Sequence, residues 1–251
     1  MFLSMATWQE VDVRLQGGQR GIVIPIGSHE QHGPTGLIGT DALCPDIIAR
    51  EAEKQGDLLV APTFSIGMAQ HHMGFPGSMT LRPSTMIATI VDWTASLNSA
   101  GFTHIYWING HGGNVATIQA AFAETYAAYS LRGETAPFMH MLKNWWQLPG
   151  MERLCRDMFP IGHGQHGTAS EVAVTYWAYP ERAVLGQMKL DPKIAPDGPI
   201  RDAADYRKRF PDGRIGSDPT QSTGEQGGIL VAAAAKALIT DTNAFFSEKF
   251  L

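Results

Sequence analysis

The run Gly21-Ile22-Val23-Ile24-Pro25-Ile26 is apolar from its second residue to its last. A strand with no polar face has to be covered on both sides. It leads without a break into Gly27-Ser28-His29-Glu30-Gln31-His32-Gly33-Pro34, with Asp41 a few residues on. A buried strand that ends in a carboxylate, an imidazole and then a second carboxylate can form the floor of a metal site. The rest of the chain reads as whatever covers that strand and completes that site.

Strand-like apolar runs alternate with helix-like segments. After the first strand, Asp41 or Thr40 can cap a helix over 42–54, with Pro45 in its first turn, where a missing N–H costs little. Leu58-Leu59-Val60-Ala61-Pro62 reads as a second strand, His104-Ile105-Tyr106-Trp107-Ile108 as a third and Pro137-Phe138-Met139-His140-Met141-Leu142 as a fourth. Ser84 can cap a helix that Gly101 ends. An alanine-rich helix follows Asn114 to Leu131, and another follows 163–171 to Tyr179. Ser222-x-x-Glu225 has capping-box spacing for a last helix to Phe246. This alternation predicts an α/β protein whose sheet carries helices on both faces. No repeat or low-complexity linker divides the 251 residues, so one domain over 1–251 is expected. The stretch 186–224 is dense in Pro, Gly and Asp and shows no period. A connection of that length is expected to be functional or an assembly contact.

The formal net charge of −5, without a basic block, argues against nucleic acid as a partner. Cys44 and Cys155 are far apart and lack CxxC spacing, which reads as two reduced thiols in a cytoplasmic protein. The first five residues lack the basic start and apolar core of a signal peptide. No apolar run approaches the ~20 residues of a membrane span.

In an extended segment residues i and i+2 point the same way, so Glu30 and His32 can face one ion, or one each of a pair. Asp41 follows a turn that can fold back on them, and a carboxylate has two oxygens with which to bridge two cations. His111 stands at the end of the third strand, and ligands gather at the carboxyl ends of strands in α/β sheets. Gly110 and Gly112, on either side of it, let the backbone approach an ion or substrate closely. Glu171 is the fifth candidate ligand, with His166 five residues before it. Carboxylates and imidazoles without thiolates suit Zn²⁺, Mn²⁺ or Fe²⁺. Such ions lower the pKa of bound water and polarise a carbonyl, which implies hydrolytic attack on an amide-like carbon. His166 would then deliver a proton to the leaving nitrogen. His71 and His72 can line the pocket. Trp145 and Trp146, taken as residues alone, read as packing. The turn 110–113 could hold a phosphate at a helix start, but it lacks the Walker lysine and a full GxGxxG.

Ile24-Pro25-Ile26-Gly27-Ser28-His29-Glu30-Gln31-His32-Gly33-Pro34 with Asp41, Asn109-Gly110-His111-Gly112-Gly113-Asn114, and His166-Gly167-x-x-x-Glu171 resemble the motifs of the creatininase (creatinine amidohydrolase) family. Phe75-Pro76-Gly77-Ser78 fits the same pattern, and the resemblance covers about residues 8–182. It implies a three-layer α/β/α sandwich with a mostly parallel central sheet, two divalent ions per chain and a homo-oligomer, a hexamer in many members. Carried over, Glu30, His32, Asp41 and His111 match metal ligands, with Asp41 bridging. His166 matches the proton-shuttling histidine and Glu171 the acidic position five residues later. Trp145 lies near a tryptophan that closes over substrate. His72, Gly112 and Trp145 are the expected substrate contacts.

Two departures shape the expectation. Creatininase proper has a ligand glutamate two residues after the third-strand histidine, where this chain has Gly113, so Glu171 is expected to supply the carboxylate as ligand and catalytic group. Thr35-Gly36-Leu37 replaces the His-Leu-Pro common after Gly33-Pro34. The Asn-Gly-His-Gly-Gly-Asn form is similar to that of members acting on formamides or trimming a peptide. The expected activity is therefore hydrolysis of a C–N bond in a small cyclic amide or formamide by a metal-bound hydroxide, creatinine not being the expected substrate. The alternative is a non-catalytic small-molecule or phosphate-binding protein. The missing carboxylate at Gly113 motivates it, and the paired His166 and Glu171 count against it.

Overall fold

In the computed structural model, which describes residues 1–184, 190 and 198–249, the first apolar run forms a strand that is enclosed on both faces. Ile22, Val23, Ile24 and Ile26 are all 0% exposed. In chain order the principal elements are α1 (Trp8–Gln16), β1 (Gly21–Ile26), α2 (Thr40–Gln55), α3 (Pro83–Ala100), β2 (His104–Asn109), α4 (Val115–Ser130) and β3 (Met139–Asn144). After these come α5 (Met151–Met158), α6 (Ala169–Ala178), α7 (Ala203–Arg209) and α8 (Gly224–Phe246).

The strands form a parallel sheet in the order β1-β2-β3, and Ile26, Asn109 and Asn144 stand level at its carboxyl edge. Alternation along the strands divides the core in two. Ile22, Ile24 and Ile26, with Ile105 and Trp107, pack against Met86 and Ile90 of α3 and Ile118 and Ala121 of α4. Val23, with Tyr106 and Ile108, packs against Ile48 of α2, Ala173 of α6 and Leu230 and Leu238 of α8. The result is the helix–sheet–helix sandwich that the alternation of runs predicts.

The structure differs from the sequence reading at several element boundaries. The 58–62 run is not a regular strand: Val60 bridges Val23 and Phe64 bridges Ile26 singly, and Pro62 between them has no N–H to give. Neither Thr40 nor Asp41 caps α2, whose N-cap is Gly39 without a side-chain bond. The capping box of α8 is Thr223 with Gln226, one residue later than expected. Ser222 Oγ instead donates to the Ala169 carbonyl at 2.7 Å. Helices α1 and α5 are absent from the sequence reading, although α5 spaces Met151, Leu154, Cys155 and Met158 at helical intervals and packs them on the core.

The stretch 186–224 contains α7, N-capped by Asp202, while 185–189 and 191–197 lie outside the described residues. Helix α8 is long and apolar enough to cross a membrane, contrary to the expectation that no such run exists. Its Leu230, Val231, Ala234, Ala235 and Leu238 are buried in the core shared with α2 and α6, as a core helix requires.

Candidate metal centre

The ends of β1 and β2 are paired side by side, Ile26 with Asn109. The next residue on each chain is glycine, and both meet the first turn of α2. A Cβ at Gly27 or Gly110 would lie 2.1 or 1.9 Å from the Asp41 carbonyl oxygen. Only glycine lets α2 begin directly on the strand ends, and this places Asp41 among the residues that leave them. The two asparagines of the His111 turn hold it in place. Asn109 Nδ2 donates to the His111 carbonyl, and Asn109 Oδ1 accepts from the His111 N–H at 3.2 Å. Asn114 Nδ2 donates to the Gly27 carbonyl at 2.9 Å, and Asn114 Oδ1 accepts from the Met68 N–H at 2.9 Å.

Among the described residues, three groups of potential ligands result. Glu30, Asp41 and His111 form one, and His32, Asp41 and Glu171 a second. Within each group the ligand atoms lie within 4.8 Å of one another, and Asp41 belongs to both. His166 joins Glu30 and His32 in a third. All of these residues are buried.

The hydrogen bonding fits divalent cations. His32 Nδ1 lies 3.0 Å from the Glu30 carbonyl, and His111 Nε2 lies 2.8 Å from the Met68 carbonyl. Each ring thus spends one N–H on the main chain and turns its other nitrogen to Asp41: His32 Nε2 to Oδ1 and His111 Nδ1 to Oδ2, both at 2.9 Å. A backbone carbonyl behind an imidazole is the usual support of a metal-ligating histidine. Glu30 Oε1 and Asp41 Oδ2 are buried with no hydrogen-bond partner among the described residues. The His111 contact to Asp41 Oδ2 is therefore close but off the N–H line, as when both atoms face a common point. Ser28 Oγ donates to the other Glu30 oxygen at 2.8 Å.

Burial raises the carboxyls of Glu30 and Glu171, to about 8 and about 7. Burial works against the imidazolium forms of His32 and His111 as well. The Asp41 charge overcomes it at His32, and the Glu30 and Asp41 charges do so at His111, lifting the rings to about 10 and about 9. Burial likewise opposes ionisation of Asp41, but the His32 and His111 charges hold it well below the usual carboxylate range. Protons crowd this cluster, and a divalent cation binds by replacing them.

Glu171 has a second task. It is the third residue of α6 and closes a capping box with Thr168, whose N–H donates to Glu171 Oε1. Its Oε1 also lies 3.9 Å from His32 Nε2. Glu171→Gln separates the two tasks, because the amide oxygen still accepts from Thr168. Affinity at the His32–Asp41–Glu171 group should fall by at least about 100-fold, the upper end of what a mere supporting residue costs. The melting temperature of the metal-free protein should hardly move, since a lost cap costs about 1 kcal/mol and this one is kept. Elemental analysis after dialysis and calorimetry check both. Full metal content would leave Glu171 as a cap alone.

Of the expected substrate contacts, His72 is buried with its Nε2 3.0 Å from Glu30 Oε1. Gly112 is exposed, with open space where a side chain would begin. Trp145 is 1% exposed and belongs to the core on the α2–α6–α8 side. Its Nε1 has no hydrogen-bond partner among the described residues, and it lines a cavity of about 550 Å³ with Trp146, His163, Thr168 and Glu171. Sequence reasoning missed Ser28, Asn109, Asn114 and Gln31. The signal for the asparagines was present: a turn that must hold a ligand needs amides to satisfy its own backbone.

The creatininase family model, described as creatinine amidohydrolase, matches residues 4–241. A creatinine amidohydrolase of Pseudomonas putida is 25% identical over 202 residues, 75% of each chain. A mycofactocin precursor peptide peptidase of Mycolicibacterium smegmatis is 33% identical over 108 residues, 41% of this chain and 43% of that one. The match thus spans less than half the length of the peptidase. Solved creatininases in a zinc–zinc form and a manganese form each superpose with a TM-score of 0.86 at 20% identity, covering 98% of this chain and 98% and 99% of theirs. On these matches, and with buried carboxylate–imidazole clusters suited to divalent metals, the chain belongs to the creatininase family of hydrolases.

Proposed function

We propose that this protein is a cytoplasmic, homo-oligomeric amidohydrolase that uses two divalent ions to break the C–N bond of a small cyclic amide or formamide. The observation that carries this reading is the pair of carboxylate–imidazole groups that share Asp41, with His166 beside them. Glu30, Asp41 and His111 would hold one ion, and His32, Asp41 and Glu171 the other. Ions held there would supply a lowered pKa for water and polarisation of a carbonyl.

The protein's own part in proton transfer falls to His166. Its Nε2–H donates to the Gln31 carbonyl at 2.6 Å, which leaves Nδ1 bare, 3.7 Å from Glu30 Oε1. Burial, helped by the His32 charge, holds its pKa well below the ordinary value, so the ring is neutral. A neutral ring with Nδ1 turned to the cluster can take the proton of the attacking water and return it to the leaving nitrogen. The cavity beside Glu171 and Trp145 is where substrate would enter, and His72 and the exposed Gly112 are further candidate substrate contacts. His166→Asn should lower kcat by about 10²–10⁴-fold while both ions stay bound. Loss of an ion in that variant would make His166 a ligand instead of a shuttle.

The reading is tested by assaying zinc- and manganese-loaded protein on creatinine, formamidopyrimidines, other formamides, cyclic amides and short peptides. Turnover of a formamide or cyclic amide in preference to creatinine is expected. Peptide trimming is a second reading, favoured by the 33% identity to the peptidase, and the same panel separates it. No turnover with any metal would leave a non-catalytic small-molecule or phosphate-binding protein.

A further inference from the structure

Gln31 stands between two candidate ligands, and the alternation that turns Glu30 and His32 towards the metal centre turns Gln31 away from it. Its Oε1 accepts from the Gly33 N–H at 2.8 Å, which settles which end of the carboxamide is nitrogen. Its Nε2 lies 2.9 Å from His72 Nδ1 and 3.0 Å from the Gly213 carbonyl. Those two acceptors use both amide hydrogens. Tyr206 Oη, 3.4 Å away, gives its own hydrogen to Gly213 at 2.6 Å.

The approach of Gly213 is close: its φ is +91°, and a Cβ there would fall 1.7 Å from Gln31 Oε1. Tyr206 and Gly213 belong to the stretch after 186, which the chemistry proposed above does not use. The same stretch grips His166, whose main chain pairs with Ile215 and accepts from Ser217 Oγ at 2.8 Å. Gln31 Nε2 also lies 3.0 Å from His166 Nε2. With that ring hydrogen given to the Gln31 carbonyl, this is a packing contact.

We propose that Gln31 is a positioning residue that fixes the tautomers of His72 and His166, the two buried histidines that face Glu30 Oε1. Its carboxamide leaves His72 with a bare Nδ1 and a hydrogen on Nε2. Its main-chain carbonyl leaves His166 with a hydrogen on Nε2 and a bare Nδ1. The inference deepens the amidohydrolase reading and rests on it for the use of these tautomers. His72 then turns a protonated Nε2, rather than a lone pair, towards Glu30 Oε1, 3.0 Å away but off the N–H line. His166 presents a lone pair to the reacting centre.

The test is the nitrogen NMR spectrum of ¹⁵N-histidine-labelled protein loaded with zinc, which is diamagnetic. In the wild type, His72 should show an unprotonated Nδ1 and His166 an unprotonated Nδ1. Gln31→Glu is nearly isosteric and still accepts from Gly33, but it offers no N–H. It should move the His72 hydrogen to Nδ1 and leave His166 unchanged, because the main-chain carbonyl remains. Zinc affinity, read by chelator competition, should fall by about 10–100-fold, the usual effect of losing support behind a ligand. Gln31→Met, with no donor and no charge, should give a mixture of His72 tautomers.

The inference is overturned if His72 keeps a bare Nδ1 in both variants, if wild-type His72 carries hydrogen on Nδ1, or if His166 does. The spectrum needs no substrate. A silent activity panel with these tautomers in place would remove the amidohydrolase reading alone, and the wrong tautomers in an active enzyme would remove this inference alone.

Discussion

Asp41→Ala protein should bind neither ion and should show no turnover above background. The reason is geometric, since Asp41 is the one residue common to both principal ligand groups, so its loss leaves each with two ligands. The thermal readout is equally direct. An ion bound only by the folded state adds about 4 kcal/mol at a thousand times its Kd, so zinc should raise the melting temperature of wild type and leave that of the variant unmoved. The metal-free variant should itself be weaker by about 3–5 kcal/mol, the cost of removing one partner from a buried ionic cluster. His32 and His111 both turn a nitrogen to the Asp41 carboxylate at 2.9 Å. Elemental analysis and calorimetry with and without zinc measure these effects. One ion retained in Asp41→Ala would mean that the two groups do not share it.

Gly113→Ala should cost the Glu30–Asp41–His111 group its ion while the His32–Asp41–Glu171 group keeps its own. A Cβ at 113 would lie 2.3 Å from His111 Nε2, the atom that lies 2.8 Å from the Met68 carbonyl. The ring cannot stay where it is, and its Nδ1 leaves Asp41. Displacing a group by about 1 Å in such a site costs about 100-fold in rate.

This changes the meaning of the glycine. Read from the sequence, Gly113 is a lost carboxylate. In the structure it is the space His111 needs, so Gly113→Glu should impair the centre as Gly113→Ala does. Gly112→Ala is the control: a Cβ there meets nothing within 4 Å, and metal content should be unchanged. Tighter metal binding in Gly113→Glu would contradict this account.

The candidate ligands were legible because their chemistry is local. Glu30 and His32 sit two apart at the end of a fully apolar strand, and His111 ends another, so alternation and strand ends were enough to bring them together. What supports them was not legible, because it comes from far along the chain. The Gln31 side chain meets His72 and Gly213, 41 and 182 residues away, and no local period announces such contacts. The cap of α8 shows the same limit at small scale. Ser222 with Glu225 and Thr223 with Gln226 both have capping-box spacing, and the bond from Ser222 to Ala169 across to α6 decides between them. Glu171 carries a capping task and a candidate ligand task at once, which a motif read one role at a time does not reveal.

The central claim is a two-ion centre arranged around Asp41, and anomalous diffraction from zinc-loaded crystals tests it most directly. The account predicts two peaks on either side of the Asp41 carboxylate, one against Glu30 and His111 and the other against His32 and Glu171. A single peak, or peaks that do not touch Asp41, would contradict it.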